Sequence, residues 1–422
     1  MALCTPSCGA EYHYERLELF GDAFLKFLSS TYLFVSCPTH KEGSLHIARQ
    51  GLISNKSLFQ HACRAGIPHY IQSKPFTPRL WTPALFTPLS STSREDKEVV
   101  ENTALSQAQD VDNITEGNTK KKKKKKRKKR NPDEHLQWLG DKAVADVAEA
   151  ILGAGFLTGG YETALQVTKA LGIPIANINT WSDFGKKARK TSFKLSLEKN
   201  TIEAVETIIG CKVKQPQLLS QALSHSSIAG HDSTFNERLE FIGDAILDFL
   251  VVRYLYEQEQ QLAPGGLTLL KAAMVSNSVL AAICVQSGLH KYFLHRSQPL
   301  ESSIRDYAAK LEASRIGEYQ AAASDGRPPG QFWLELTAPK SLPDIMESIM
   351  GAIYVGDRFS TEGIEALFKT LLKPFYDKYV TFKTLSQHPT KVLFDLFQGQ
   401  GCRKLNIKNV AKDNGASTVA QG

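Results

Sequence analysis

The sequence predicts a mainly α-helical protein in which one helical unit is built twice. Three observations carry that expectation. Strand-like alternation is scarce along the 422 residues, whereas several apolar runs have helical periodicity. The string Glu15-Arg-Leu-Glu-Leu-Phe-Gly-Asp22 recurs as Glu237-Arg-Leu-Glu-Phe-Ile-Gly-Asp244, 222 residues later. The correspondence also continues outside the string. Ser54-Asn55 matches Ser276-Asn277 at the same offset, and Ala2-Leu3 matches Ala222-Leu223 at an offset of 220. Lys142, Asp146 and Glu149 match Lys340, Asp344 and Glu347 at an offset of 198. The repeated unit has the size of a domain, far longer than a solenoid module.

The first unit is expected over residues 1–171. On a helix Glu15, Glu18 and Asp22 are spaced i, i+3 and i+7, which sets three carboxylates on one stripe. Leu17, Phe20, Phe24 and Phe27 fall on the opposite face and are candidates for the core. An apolar stretch suited to a helix follows Asn55. Pro75, Pro78, Pro83 and Pro88 then favour an irregular path. Residues 89–131 are rich in Ser, Thr, Asn, Glu and Lys and lack hydrophobic periodicity. They hold the 24 residues by which the first copy exceeds the second between Asn55 and Lys142. Within them residues 120–130 are eleven consecutive basic side chains, so this insertion is expected to be exposed and disordered. Residues 172–199 read as a linker. A helical segment from Thr201 opens the second unit, residues 200–380, with further helices over 239–256 and 344–355.

The formal net charge is +8, and the eleven-residue basic run alone exceeds it. The basic balance is therefore local. Two readings of the run stay open: a solvated or nuclear-import-like segment, and an arm that contacts nucleic-acid phosphates. Seven cysteines, an odd number without a C-x-x-C pair, favour reduced thiols and a cytoplasmic or nuclear rather than secreted protein. Cys4 and Cys8 near His13 lack the partnered motif of a metal site. No uninterrupted apolar run of ~18 residues occurs, so no membrane span is expected.

The repeated feature is acidic, and like charges at i, i+4 destabilise a helix by ~0.2–0.5 kcal/mol. One such stripe is an ordinary solvated helix face. Two copies, each with the same Asn and the same downstream Asp-x-x-Glu, point instead to a cation that offsets the repulsion twice. Asp146-x-x-Glu149 and Asp344-x-x-Glu347 each place two carboxylates on one side of a helical turn. Each precedes a run of small residues, Ala150-Ile-Leu-Gly-Ala-Gly and Ser348-Ile-Met-Gly-Ala-Ile, that permits close helix packing. A second helix is thus expected to bring its acidic pair against the first. All-oxygen ligation suits Mg²⁺ or Mn²⁺ rather than zinc, and such a site suits phosphodiester hydrolysis. Lys142 and Lys340, four residues before each Asp, are either cations near the transferring phosphate or ordinary solvated lysines. Asn55 and Asn277 are read as structural supports.

Glu-Arg-Leu-Glu-x-x-Gly-Asp resembles the signature of the ribonuclease III family, and its tandem occurrence is similar to the C-terminal half of Dicer. Ala222-Leu-Ser-His-Ser-Ser resembles the segment ahead of that signature, and Arg79-Leu-Trp-Thr-Pro with the basic insertion is similar to fungal Dicer-like proteins. The resemblance implies two tandem endonuclease domains that pair within one monomeric chain as a pseudo-dimer. It implies metal-binding catalytic carboxylates at Glu18, Asp22, Asp146 and Glu149, and at Glu240, Asp244, Asp344 and Glu347. Lys340 is added as a candidate catalytic cation. It implies Mg²⁺ or Mn²⁺ as cofactor, double-stranded RNA as substrate, and short duplex products with 5′-phosphates and two-nucleotide 3′ overhangs for RNA silencing. Lys26 stands where the second copy has Asp248, which is expected to make the two sites unequal. The helical segment from Ile202 to Leu219 has no counterpart ahead of Ala2, so the first unit is expected to lack its opening helix, with Met1 not the natural beginning. Residues 385–422 resemble the start of a double-stranded RNA-binding domain. The rival readings are a catalytically inactive fragment and an RNA-binding scaffold.

Overall fold

The computed structural model describes residues 1–74, 139–187, 197–228, 233–258 and 262–386. The basic insertion expected at 89–131 lies outside the described residues, as does nearly all of the RNA-binding domain expected at 385–422. The described residues form helices and no strand, as the scarcity of alternation predicted. The first repeat contains α1 (Glu15–Ser36), α2 (Glu42–Ile53), α3 (Asn55–Arg64) and α4 (Asp141–Ala170), followed by the short α5 (Ser182–Lys187). The second contains α6 (Lys199–Ile209), α7 (Pro216–Ala222), α8 (Ser233–Gln258), α9 (Pro264–Met274), α10 (Asn277–Gln286), α11 (Gln298–Asp325) and α12 (Ser341–Gly356). It closes with α13 (Glu362–Leu367), α14 (Lys373–Tyr379) and α15 (Phe382–Ser386). Two isolated bridges, Cys4 with Gln72 and Ser224 with Leu294, tie down equivalent positions of the two repeats.

Helix starts obey the same duplication. The hydroxyls of Ser54 and Ser276 accept hydrogen bonds from the backbone N–H groups of Ser57 and Val279, each at 3.4 Å. Those serines are the N-caps of α3 and α10 and satisfy otherwise orphaned donors. Asn55 and Asn277 are the exposed first helical residues beside the caps. α4 bends at Gly159 and Gly160, where Gly160 takes a left-handed φ of +66° that a side chain would oppose. By length and composition α4, and α9 with α10 as one bent pair, are apolar enough to cross a membrane. In α4 that character belongs to the core: Val144, Ala145, Val147, Ala148 and Leu152 are buried, and the helix packs on α1 and α3.

The two repeats meet face to face through α1 and α8. Phe27 and Phe249, equivalent at the offset of 222, stack with centroids 5.1 Å apart and planes 5° apart. An approximate two-fold axis therefore passes beside them. Phe20 and Phe24 pack edge-on against Phe249 from the same side. All four apolar residues assigned to the buried face of α1 are in the core.

The Arg of each signature string works across this axis. Arg238 is 2% exposed and donates to the carbonyls of Phe34, Cys37 and His40 at 2.7–2.8 Å while its guanidinium lies over the Phe34 ring. It thereby caps the C-terminal end of the opposite repeat's α1, where carbonyls lack helical partners. Arg16 repeats the arrangement in reverse, donating to the Leu262 carbonyl at 2.6 Å with its guanidinium over Tyr256. Phe34 and Tyr256 are equivalent at the offset of 222, as are His40 and Leu262. Part of the segment read as a linker is also folded onto this junction. Phe184 is fully buried, and the Trp181 ring lies against Phe24 and Phe27 while its indole N–H donates to the Phe359 carbonyl at 3.2 Å.

Candidate metal centres

In each repeat the signature helix crosses the Asp-x-x-Glu helix at backbone contact. A glycine sits at the crossing. A Cβ on Gly21 would lie 1.8 Å from the Glu149 carbonyl oxygen, and one on Gly243 would lie 1.8 Å from that of Glu347. Gly153 and Gly351, in the small-residue runs, face the carbonyls of Leu17 and Leu239 at 2.3 Å by the same measure. This contact brings the second acidic pair onto the first helix. Gly21→Ala and Gly243→Ala are each expected to force the helices apart, at a cost of at least ~1–3 kcal/mol for overpacking. A calorimetric midpoint unchanged in either variant would contradict the close crossing.

The crossing gathers Glu18, Asp146 and Glu149 into one cluster and Glu240, Asp344 and Glu347 into another. In each, three carboxylate oxygens lie within 4.8 Å of one another. Asp146 and Glu149 are only 5% and 6% exposed. Burial, reinforced by the neighbouring carboxylates, pushes Glu18 and Glu240 up to about 7 and Glu149 and Glu347 up to about 9. Burial also raises Asp344, with Lys340 opposing. Lys142 reaches the Asp146 carboxylate at 2.9 Å, and Lys340 reaches Glu240 at 3.4 Å and Asp344 at 3.2 Å. Burial works against the charge of Lys340, but those two carboxylates overcome it and hold the ammonium up at about 12.

The raised carboxyls give the chain a pH signature. Glu149 and Glu347 keep their protons in the folded state up to about 9, whereas an unfolded Glu releases its proton near ~4.3. Between those values the folded state binds more protons, so its stability falls as pH rises. In chelating buffer the thermal midpoint is therefore expected to fall from pH 6 to pH 9, and a rise over that window would contradict the clusters as described.

The fourth carboxylate of each expected set lies beside its cluster rather than in it. The Asp22 charge is among the causes that raise Glu149, and that of Asp244 among those that raise Glu347. Both are engaged across the axis. Asp244 pairs with Lys26 at 3.1 Å and Arg49 at 3.8 Å, and Asp22 with Lys271 at 4.0 Å. Arg49 and Lys271 are equivalent at the offset of 222, so each repeat lends a cation to the other. The sites differ in three respects. Lys26 has an acid, Asp248, as its counterpart. The hydroxyl of buried Tyr14 donates to Asp146 at 3.3 Å, where the second repeat has Asn236. Glu42, from the first repeat, adds its negative field to Glu240 and Asp344. Sequence reasoning missed Tyr14, Arg49, Lys271 and Glu42. Only Arg49 and Lys271 carried a usable signal, a basic residue at the repeat offset.

Two all-oxygen clusters, each built where a signature helix crosses an Asp-x-x-Glu helix and related by an approximate two-fold axis, define a duplicated helical fold with one carboxylate centre in each repeat. Residues 15–160 and 237–358 match the family described as Ribonuclease III domain, and the chain belongs to that family. Among individual proteins it is similar to Dicer-like protein 1 of Neosartorya fischeri, 30% identical over 415 residues, and to Dicer-like protein 1 of Aspergillus clavatus, 32% identical over 418. Each alignment covers 95% of this chain and 24% of the relative. Endoribonuclease Dicer homolog 1 of Arabidopsis thaliana is 31% identical over 409 residues, covering 94% of the chain and 20% of that protein. The chain thus spans about a quarter of the length of these curated relatives or less.

Proposed function

We propose that this chain is the tandem nuclease portion of a Dicer-like endoribonuclease, in which each repeat hydrolyses one strand of a double-stranded RNA. The observation that carries the reading is the presence of two carboxylate clusters, each whole, on the two sides of one intramolecular axis. Single-repeat relatives would need two chains to produce such a pair, and here the α1–α8 face takes that role within one chain.

The clusters fit a divalent cation on their own chemistry. Their donors are oxygens alone, three to a cluster, and burial, with the neighbouring carboxylates adding to it, disfavours the charged form of Glu149 and Glu347 unless a cation is present. Glu18, Asp146 and Glu149, with Asp22 adjacent, would hold one Mg²⁺ or Mn²⁺, and Glu240, Asp344 and Glu347, with Asp244 adjacent, the other. When bound, such an ion acidifies water and neutralises charge on a phosphodiester. The residues of the chain do the rest. Tyr14 orients Asp146 through its hydroxyl. Lys142 and Lys340, mostly exposed at the mouths of the clusters, hold positive charge where an RNA phosphate would approach. Lys26, Arg49 and Lys271 keep Asp22 and Asp244 turned toward the axis.

Duplex RNA offers shape, phosphates and 2′-hydroxyls rather than a readable major groove, so cutting should depend little on sequence. Products with 5′-phosphates and two-nucleotide 3′ overhangs, feeding RNA silencing, follow from the same reading. A reducing compartment, cytoplasm or nucleus, suits the free cysteines at 4, 8, 37, 63, 211 and 284. The test is cleavage of a long duplex RNA with Mg²⁺ and with chelator, the product ends being mapped. Cutting in Mg²⁺ alone, with staggered ends, supports the reading; absence of Mg²⁺-dependent cutting by the folded chain overturns it.

A further inference from the structure

Position 26 of the first repeat and position 248 of the second are equivalent, and their side chains touch each other: Lys26 Nζ lies 3.5 Å from the Asp248 carboxylate. A residue that meets its own equivalent stands on the two-fold axis. Pairing of the first repeat with a copy of itself would therefore oppose Lys26 to Lys26, and self-pairing of the second would oppose Asp248 to Asp248. Both positions are largely withdrawn from solvent, with side-chain exposures of 21% and 7%. Water would screen neither repulsion well.

The surrounding charges reinforce this. Six groups are joined by ion pairs at the axis: Lys26 to Asp244 and Asp248, Arg49 to Asp244, and Lys271 to Asp22 and Asp248. Three are cations and three are anions, so the observed pairing is neutral. With the same positions filled by two first repeats, Lys26 and Arg49 would outnumber Asp22 by two charges. With two second repeats, Asp244 and Asp248 would outnumber Lys271 by two. Any cation held in the carboxylate clusters would be present twice in all three arrangements and would not alter the comparison.

We propose that the Lys26–Asp248 contact is a specificity determinant that makes the pairing face heterotypic: each repeat accepts the other and rejects a second copy of itself. Matched apolar and aromatic residues supply the adhesion of this face, while the unlike charges on its axis choose the partner. The device is one of exclusion as much as of attraction. It rests on the repeat geometry alone and stands apart from the nuclease reading.

A charge-reversal cycle on the full chain tests it. Asp248→Lys puts lysine against lysine, the contact that self-pairing of the first repeat would make. Lys26→Asp puts acid against acid, the contact of the second repeat with itself. Each single variant is expected to lower the thermal midpoint by about 4 °C or more. The double variant restores unlike charges at these two positions but leaves position 26 facing Asp244 and position 248 facing Lys271 with like charge. It should therefore lose clearly less than the sum of the singles, as coupled neighbours do, without returning to the parent. If a reversal variant does not fold, the neutral cycle of Lys26→Gln and Asp248→Asn is read in the same way, with the double again losing less than the sum of the singles. Single variants as stable as the parent, or a double variant that loses the full sum, would overturn the proposal.

Discussion

Arg238→Ala is expected to lower the thermal midpoint of the chain by about 10 °C. The guanidinium is buried and satisfies three carbonyl groups at the end of the opposite repeat's first helix. Removing it takes a charged donor from each of those carbonyls, of which Cys37 keeps the His40 N–H, and opens a void under the Phe34 ring. Hydrogen bonds to a charged donor contribute ~1.5–3 kcal/mol each, and not additively, so a loss of ~4 kcal/mol is the appropriate scale. For a unit of this size each kcal/mol shifts the midpoint by ~2–4 °C. Arg238→Lys should recover only part of the loss, because one ammonium cannot match the fork that reaches three carbonyls. Arg16→Ala should cost less, since Arg16 is only half-buried. Scanning calorimetry of the three variants decides the matter. A loss for Arg238→Ala no larger than that of an exposed Arg would mean that the signature Arg does not hold the repeats together.

The double variant Glu149→Gln/Glu347→Gln is expected to lose duplex cleavage by ~10³-fold or more, the equivalent of several kcal/mol of cation-derived stabilisation. The amide keeps the volume and removes the charge. Its effect on folding should have the opposite sign. At pH 9 the parent must hold these two glutamates either protonated or charged in a buried cluster, and the amides remove that conflict. In chelator the variant should therefore be at least as stable as the parent at pH 7 and more stable at pH 9. Calorimetry at both pH values, together with a cleavage time course, measures the two arms. Loss of activity through unfolding would appear as a lower midpoint at pH 7.

Much of this was legible in the sequence because it was written twice. Glu18 and Glu240, and the two Asp-x-x-Glu pairs, share a spacing that puts them on one face, and the small residues after them announced a close crossing. The glycines at that crossing are the physical reason the expectation held. What the repeat did not announce was contact between the copies. Spacing places Asp22 on the same stripe as Glu18, but it cannot show that Lys271 approaches from the other repeat and holds that carboxylate beside the cluster. Tyr14 left no signal, because its equivalent is Asn236. Trp181 and Phe184 stand in a stretch with too little periodicity to mark a helix, and their role comes from a junction that exists only once both repeats have folded. The departure at Lys26 and Asp248 was visible as a mismatch, but its meaning depended on the axis passing through it.

The most direct measurement of the central claim is strand-resolved cleavage of a duplex RNA with one defined end, each strand labelled in turn, using Glu149→Gln and Glu347→Gln singly. The clusters are built from different helices, so each variant should lose one site and keep the other. One variant should cut only one strand, the other variant only the opposite strand, each at the position used by the parent. If either substitution abolished cutting of both strands while the chain stayed folded and bound the duplex, the two clusters would form one composite centre rather than two independent sites.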